Sequence, residues 1–180
     1  RSIYLLFSKF TILNHLNPKN GYYITITPSV HGTILGGNFH YLKLDSEFKF
    51  FFTLLNKLVF ANRLKFGWIS EFPNYMDGDT EIPPFDKFHL GGQTSLRGWT
   101  SPDDFESESF PGGSQRFLFN SEIRFPLYSR LGMELFYDIG SFGEDSEFIE
   151  YNWDAGYGLT IRTGLGPARI DAAYKQAIGK

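Results

Sequence analysis

Leu42-Lys43-Leu44-Asp45-Ser46-Glu47-Phe48-Lys49-Phe50-Phe51-Phe52 decides how this 180-residue chain folds. One set of alternate residues is Leu42, Leu44, Ser46, Phe48, Phe50 and Phe52; the other begins Lys43, Asp45, Glu47, Lys49. A period of two sustained over this length is a strand signature, because successive side chains point to opposite faces. The apolar face is aromatic and uncharged, while the polar face interleaves both signs of charge. A soluble sandwich also alternates, but its core interdigitates two inner faces, which branched aliphatics suit well. An aromatic face backed by a charged one is what a strand between lipid and a wet lumen requires.

The same period recurs on both sides of this stretch. Tyr22, Ile24, Ile26, Pro28 and Val30 oppose Tyr23, Thr25, Thr27, Ser29 and His31. Leu58, Phe60, Leu64, Phe66 and Trp68 oppose Ala61, Arg63, Lys65 and Gly67, with Asn62 the one polar residue on the apolar side. Further strands are predicted from Phe117 to Leu127, Leu131 to Ile139, Tyr151 to Arg162 and Ala168 to Lys175. The opening segment, Ser2 to Leu13, is apolar and strand-like without clear faces. Turn signals separate them: Asn17-Pro18-Lys19-Asn20-Gly21, Gly36-Gly37-Asn38, Asn56-Lys57, Tyr128-Ser129-Arg130, acidic Ser141 to Glu150, and Gly164-Leu165-Gly166-Pro167. Nothing repeats at 3.6 residues. The fold class is all-β: an antiparallel transmembrane β-barrel of about eight strands here, each of a length that spans a bilayer when tilted. Alternate connections are short, and the others include the acidic loop and one much longer. Outer-membrane barrels have this asymmetry, and Tyr22, Trp68, Tyr151 and Trp153 fall where aromatic girdles lie.

Composition fits. Aromatics reach 18%, with 20 Phe and 10 Tyr; Cys is absent, which excludes a disulfide scaffold and thiolate metal sites. A net charge of −3 carries no polycation signature for nucleic acid. Mean hydropathy of −0.23 suits a barrel in which only alternate residues meet lipid. No apolar run reaches the roughly 18 residues of a membrane helix, and no signal peptide is visible. Arg1 in place of an initiator methionine points to a segment of a longer protein whose N-terminal part is missing.

The longest non-alternating segment runs from about residue 71 to 114, and loops beyond about 15 residues are usually functional or disordered. At its centre stands Gly91-Gly92-Gln93-Thr94-Ser95-Leu96-Arg97-Gly98-Trp99. By parity, Glu122 and Asp138 share the polar face of neighbouring strands, where opposed carboxylates repel. A guanidinium between them offsets that repulsion and forks onto carboxylates. A loop returning into the lumen would bring one. The alternatives are an ordinary solvated turn arginine, and carboxylates facing lumenal water without a special partner. The acidic residues Asp103, Asp104, Glu106 and Glu108 read as a solvated loop with at most weak cation binding. His15, His31, His40 and His89 are scattered without metal-ligand spacing. Gly112-Gly113-Ser114-Gln115-Arg116 lacks the final glycine of an esterase elbow, and neither glycine pair precedes the Lys of a phosphate loop. No catalytic residue, metal site or cofactor is therefore expected.

Four ordered motifs carry a family resemblance. Gly91-Gly92 with Leu96-Arg97-Gly98-Trp99 resembles the sixth extracellular loop of the BamA/TamA outer-membrane assembly superfamily, which also includes two-partner-secretion transporters and organelle import barrels. Asn120 to Leu127 resembles the next strand, with a lumenal Glu before a turn-forming Pro. Phe136-Tyr137-Asp138-Ile139-Gly140 resembles the strand after it. Gly156-Tyr157-Gly158 through Gly166-Pro167 to Asp171 resembles the family's C-terminal hairpin. The match is good from Leu90 to Tyr174 and rests on strand pattern before that.

The resemblance implies one partial barrel domain over residues 1–180, part of a 16-stranded barrel in the bacterial outer membrane, organelle outer membranes being the second choice. Periplasmic POTRA domains would precede it. Aligned on the loop, the chain would supply strands eight to fifteen, without the closing strand. It also implies that Arg97 pairs with Glu122 and Asp138 in the lumen as a structural latch. The implied function is insertion of client β-barrels, with the bilayer, unfolded outer-membrane proteins and periplasmic or lipoprotein subunits as partners. A two-partner-secretion translocator and a passive porin-like barrel are the alternatives. An outer-membrane enzyme would need a catalytic domain that these residues do not contain.

Overall fold

The computed structural model describes residues 1–55, 57–72, 82–99, 112–144, 147–148, 151–164 and 166–178. The acidic cluster at 103–108 lies outside them. The strands, in chain order, are β1 (Ser2–Tyr4), β2 (Phe7–Phe10), β3 (Gly21–His31), β4 (Tyr41–Leu54), β5 (Leu58–Glu71), β6 (Gln115–Tyr128), β7 (Leu131–Glu144), β8 (Glu147–Phe148), β9 (Tyr151–Thr163) and β10 (Gly166–Ile178). They form one antiparallel sheet in the order β1-β3-β4-β5-β6-β7-β9-β10. β2 also pairs with β3, and the short β8 with β7. These ten strands occupy the eight predicted positions, because β1 and β2 are two pieces of the first, and β8 pairs back antiparallel on the end of β7, which runs to Glu144 into the acidic segment expected to be a loop. Among the described residues, β1 and β2 pair only with β3 and β10 only with β9, so the sheet is an open wall.

The break between β1 and β2 has a local cause. Pro28 of β3 turns its carbonyl to that side and accepts from the Leu5 N–H (3.0 Å), but it has no N–H to return. Pairing stops at Tyr4↔Ser29 and resumes at Phe7↔Ile26. Pro126, read as turn-forming, instead pairs with Gly132 inside β6; the register shifts between Pro126 and Tyr128, and the turn follows at Ser129-Arg130.

Burial is inverted relative to a soluble protein. On one face Leu64, Phe66, Leu135, Tyr137, Tyr157, Leu159 and Ile161 are exposed. On the other, Asn120, Glu122, Glu134, Asp138, Asn152 and Asp154 are buried. Polar groups on the outward face find partners within it: Ser121 donates to Asn62 Oδ1 (2.8 Å), directly across the β5–β6 ladder, and Ser46 donates to the Phe66 carbonyl (2.9 Å). Phe48, Phe50, Phe52 and Phe60 stack in a row on this face, with centroid separations of 4.9–6.3 Å. An apolar outward band over a charged concave face is the arrangement of a barrel wall in lipid.

A charge on the outward face should therefore be costly. Leu135→Arg is expected to lower folding stability in lipid vesicles by about 2–4 kcal/mol, the midplane cost of a cation. The inward change Lys65→Gln should leave it nearly unchanged; urea titration followed by heat-modifiable gel mobility compares them.

Candidate functional site: a loop latched across the inner face

The described part of the connection from β5 to β6 lies against the sheet. Its described residues, 82–99 and 112–114, fold onto the inner face and are held at two stations.

The first lies near the loop end of the wall. Phe88 is buried, and Lys43 Nζ and the Arg116 guanidinium reach its ring at 4.8 and 4.6 Å. A Cβ on Gly67 would meet that ring at 2.4 Å, so the glycine of β5 makes the socket. Tyr41 donates its hydroxyl to Asp86, and Lys43 donates to the Asp86 carbonyl (2.6 Å). Phe88 also bridges to Gly113, joining the two described pieces of the loop.

The second station is the Gly91–Trp99 segment. Gly91 and Gly92 have φ of +103° and +85°, conformations that favour glycine. They reverse the chain so that Gly92 N–H donates to the Trp99 carbonyl (2.6 Å) and Trp99 N–H to the Leu96 carbonyl (3.1 Å). Leu96 is fully buried with Leu90, Leu118 and Phe142, and Trp99 packs against this cluster. The backbone is thus clamped by an apolar plug directly beside Arg97.

Arg97 then uses its whole fork. Nε and Nη2 donate to the two oxygens of Asp138 (2.6 and 2.7 Å), and Nη1 donates to Glu122 Oε1 (2.6 Å). The guanidinium carbon lies 3.7 Å from the centroid of Phe136. Glu122 is shared: Arg124 Nε donates to Oε2 (2.7 Å) and Arg169 Nη1 to Oε1 (3.1 Å). Arg169 in turn pairs with Glu134 and with Asp171 (2.7 Å). Charge-assisted bonds of this kind are the strong ones, and the low-dielectric setting strengthens them.

Sequence parity placed Glu122 and Asp138 on one face, and the structure brings both to Arg97. They are not directly opposite each other, however. The register sets Glu122 against Phe136, and Asp138 against Asn120 on one side and Asp154 on the other. The carboxylates that face each other directly are therefore Asp138 and Asp154, both fully buried. Asn120 Nδ2 donates to Asp138 Oδ1 and to the Ser95 carbonyl, both at 2.8 Å. Gly98 N–H donates to Asp154 Oδ2 (3.0 Å). A Cβ on Gly98 would meet the Asp154 Cβ at 2.7 Å, which explains the glycine after the arginine. Asn120, Phe136, Asp154 and Arg169 went unassigned in sequence reading. Sequence alone held no signal for them, because they come together only through the register, which aligns Lys49-Arg63-Asn120-Asp138-Asp154-Lys175 as one polar row across the inner face.

The hairpin motif has a physical role in the same place. A Cβ on Gly156 would meet Phe136 Cζ at 2.6 Å, and one on Gly158 would meet Asp171 and Glu134 oxygens at 2.1 and 2.6 Å. The two glycines clear space for the ring under Arg97 and for the Arg169 ion cluster. Gly166 (φ +133°) opens β10, and Pro167 lines the cavity below the loop. That cavity, about 730 Å³, is roofed by Thr94, Ser95 and Arg97 and reaches the turn end, where Leu16 to Lys19 line it.

A transmembrane wall whose longest loop is fastened into its own lumen defines a class of outer-membrane barrel, and comparisons with known proteins place it more narrowly. The chain belongs to the Omp85 superfamily, whose domain matches residues 8–179. It is 28% identical over 176 residues to the outer membrane protein assembly factor BamA of Nitratidesulfovibrio vulgaris, an alignment covering 91% of this chain and 21% of that relative. The crystal structure of BamA from Haemophilus ducreyi lacking POTRA domains 1–3 superimposes with a TM-score of 0.81 over 99% of this chain and 39% of that one. At 16% identity this likeness speaks for the fold. The wall is thus part of an outer-membrane barrel, and the chain spans about a fifth of the length of the relative it matches in sequence.

Gly98→Ala should push the loop tip off β9 while leaving every charge in place. The expected result is increased protease cleavage within 82–99 in the folded barrel, with strand content unchanged by circular dichroism. Gly156→Val, which would press on Phe136 and on the β10 backbone at Ala172, should also expose the loop to protease, with some strand content lost.

Proposed function

We propose that this chain is the latch-bearing wall of a barrel that assembles other β-barrel proteins in the outer membrane. The observation that carries the reading is the Arg97 fork onto Asp138 and Glu122, made by a loop folded into the lumen. A passive pore gains nothing from a loop cation buried against two neighbouring strands of its own wall. A barrel that must hold its wall in one shape while a client strand is handled at an edge does. The loop connections then face the cell exterior and the short turns the periplasm, where POTRA domains and accessory subunits would meet the barrel. The work involves no bond-making step; it consists of binding and positioning strands. Residues 1–180 act as one partial barrel domain, with Arg97, Glu122 and Asp138 as the latch, Gly91, Gly92, Leu96, Gly98 and Trp99 shaping its tip, and Gly156, Gly158, Gly166, Pro167 and Asp171 shaping the hairpin that receives it. The resemblance to BamA in sequence supports assembly over two-partner secretion.

Removing one partner of a buried ion pair costs on the order of 3–5 kcal/mol, because the other charges remain buried. Arg97→Ala in the intact protein is therefore expected to reduce the amount of folded client barrels in the outer membrane and to expose the loop to trypsin. Arg130→Ala, at an exposed turn, should do neither. Arg97→Lys should recover little, since an ammonium cannot reproduce the three-pronged contact. Normal client levels with a trypsin-resistant loop in Arg97→Ala would sink the reading.

A further inference from the structure

The chain carries a net charge of −3, yet its charges are not evenly spread. The cavity beneath the loop tip is lined by eight lysines and arginines and by only three carboxylates, Glu47, Glu122 and Glu134. Each of these carboxylates is already engaged. Glu47 takes Lys49, Arg63 and Lys65; Glu122 takes Arg97, Arg124 and Arg169; Glu134 takes Arg169 as well. Three lining cations remain without a carboxylate among the described residues: Lys19, Lys57 and Arg162. All three are exposed and all three stand at the turn end, Lys19 and Lys57 in turns and Arg162 near the end of β9. Arg162 Nη2 donates to the Ser129 carbonyl (2.5 Å), which fixes its guanidinium at the rim without neutralising it.

A concave surface with one sign of charge and low-dielectric walls focuses its field and raises the local concentration of counter-ions. Rings of Arg and Lys are what anion-conducting pores use. We propose that the lumen below the Arg97 latch is an anion-accepting vestibule, entered from the turn side, that takes carboxylate and phosphate groups on Lys19, Lys57 and Arg162. This goes beyond the assembly reading and does not depend on it: it rests on the barrel wall and its charge pattern, and it can fail while the Arg97→Ala phenotype stands.

The intact protein in planar bilayers provides the test, under a potassium chloride gradient near about 0.1 M, where the Debye length is about 10 Å. Wild type is expected to reverse on the chloride side of zero and to lose current when inorganic pyrophosphate is added on the turn side. The triple variant Lys19→Gln, Lys57→Gln, Arg162→Gln should shift the reversal potential toward the potassium side and lose the pyrophosphate effect. The charge-conserving set Lys19→Arg, Lys57→Arg, Arg162→Lys should keep both. If the triple variant does not insert, Lys19→Gln and Lys57→Gln, which alter no strand residue, take its place. Potassium preference in wild type, or chloride preference and pyrophosphate block unchanged in the Gln variants, overturns the proposal.

Discussion

A fully buried Asp138 with an equally buried Asp154 directly across the ladder is the constraint on which the inner face depends. Two such carboxylates cannot be left to themselves in a dry site, and the wall does not supply enough donors of its own. The remaining donors come from the loop: two from Arg97 to Asp138 and the Gly98 N–H to Asp154. The strands position the carboxylates, Asn120 of β6 gives Asp138 one donor, and the loop adds donors to both. Neither half is satisfied alone, so a loop folded in and a wall with correct register imply each other. A buried ion pair adds little stability over an apolar replacement, but it is unforgiving of misplacement. Its contribution here is to permit one arrangement of loop on wall.

The arrangement reaches far beyond the arginine. Through Glu122 the network continues to Arg169 on β10 and from there to Glu134 and Asp171. Through Arg63, which donates to the Thr94 carbonyl (2.6 Å) and to Glu47 (2.6 Å), it reaches β5 and β4. Phe88 in its Gly67 socket anchors the same loop a second time. The loop is therefore a brace tying β4 to β10, although in sequence it merely connects β5 to β6.

Much of this was legible in the residues. The alternation from Leu42 to Phe52 reveals both faces because a strand has no other way to segregate Lys43, Asp45, Glu47 and Lys49 from the aromatics. Glu122 and Asp138 could be placed on a common face by parity, and the resemblance of the loop motif implied that Arg97 joins them. Register could not be read, since a shift of two residues preserves every face and changes every partner. That is why Asp154, on the correct face throughout, was not recognised as the neighbour of Asp138, and why Glu122 and Asp138 turn out to be diagonal. The Phe88–Gly67 socket was hidden for another reason. A glycine in a strand records that something approaches closely, without saying what. Pro28 was visible on the apolar face, but its effect depended on which neighbour its missing N–H would have faced.

That proline gives the wall uneven stiffness. Three register pairs join β1 to β3 and four join β2 to β3, whereas thirteen join β9 to β10. On the far side of the loop brace, then, lies a ladder with missing rungs. A curved wall under load bends where its cross-links are fewest. Within the described sheet the cross-links are thus sparsest at β1 and β2, away from the buried charges that tolerate no displacement.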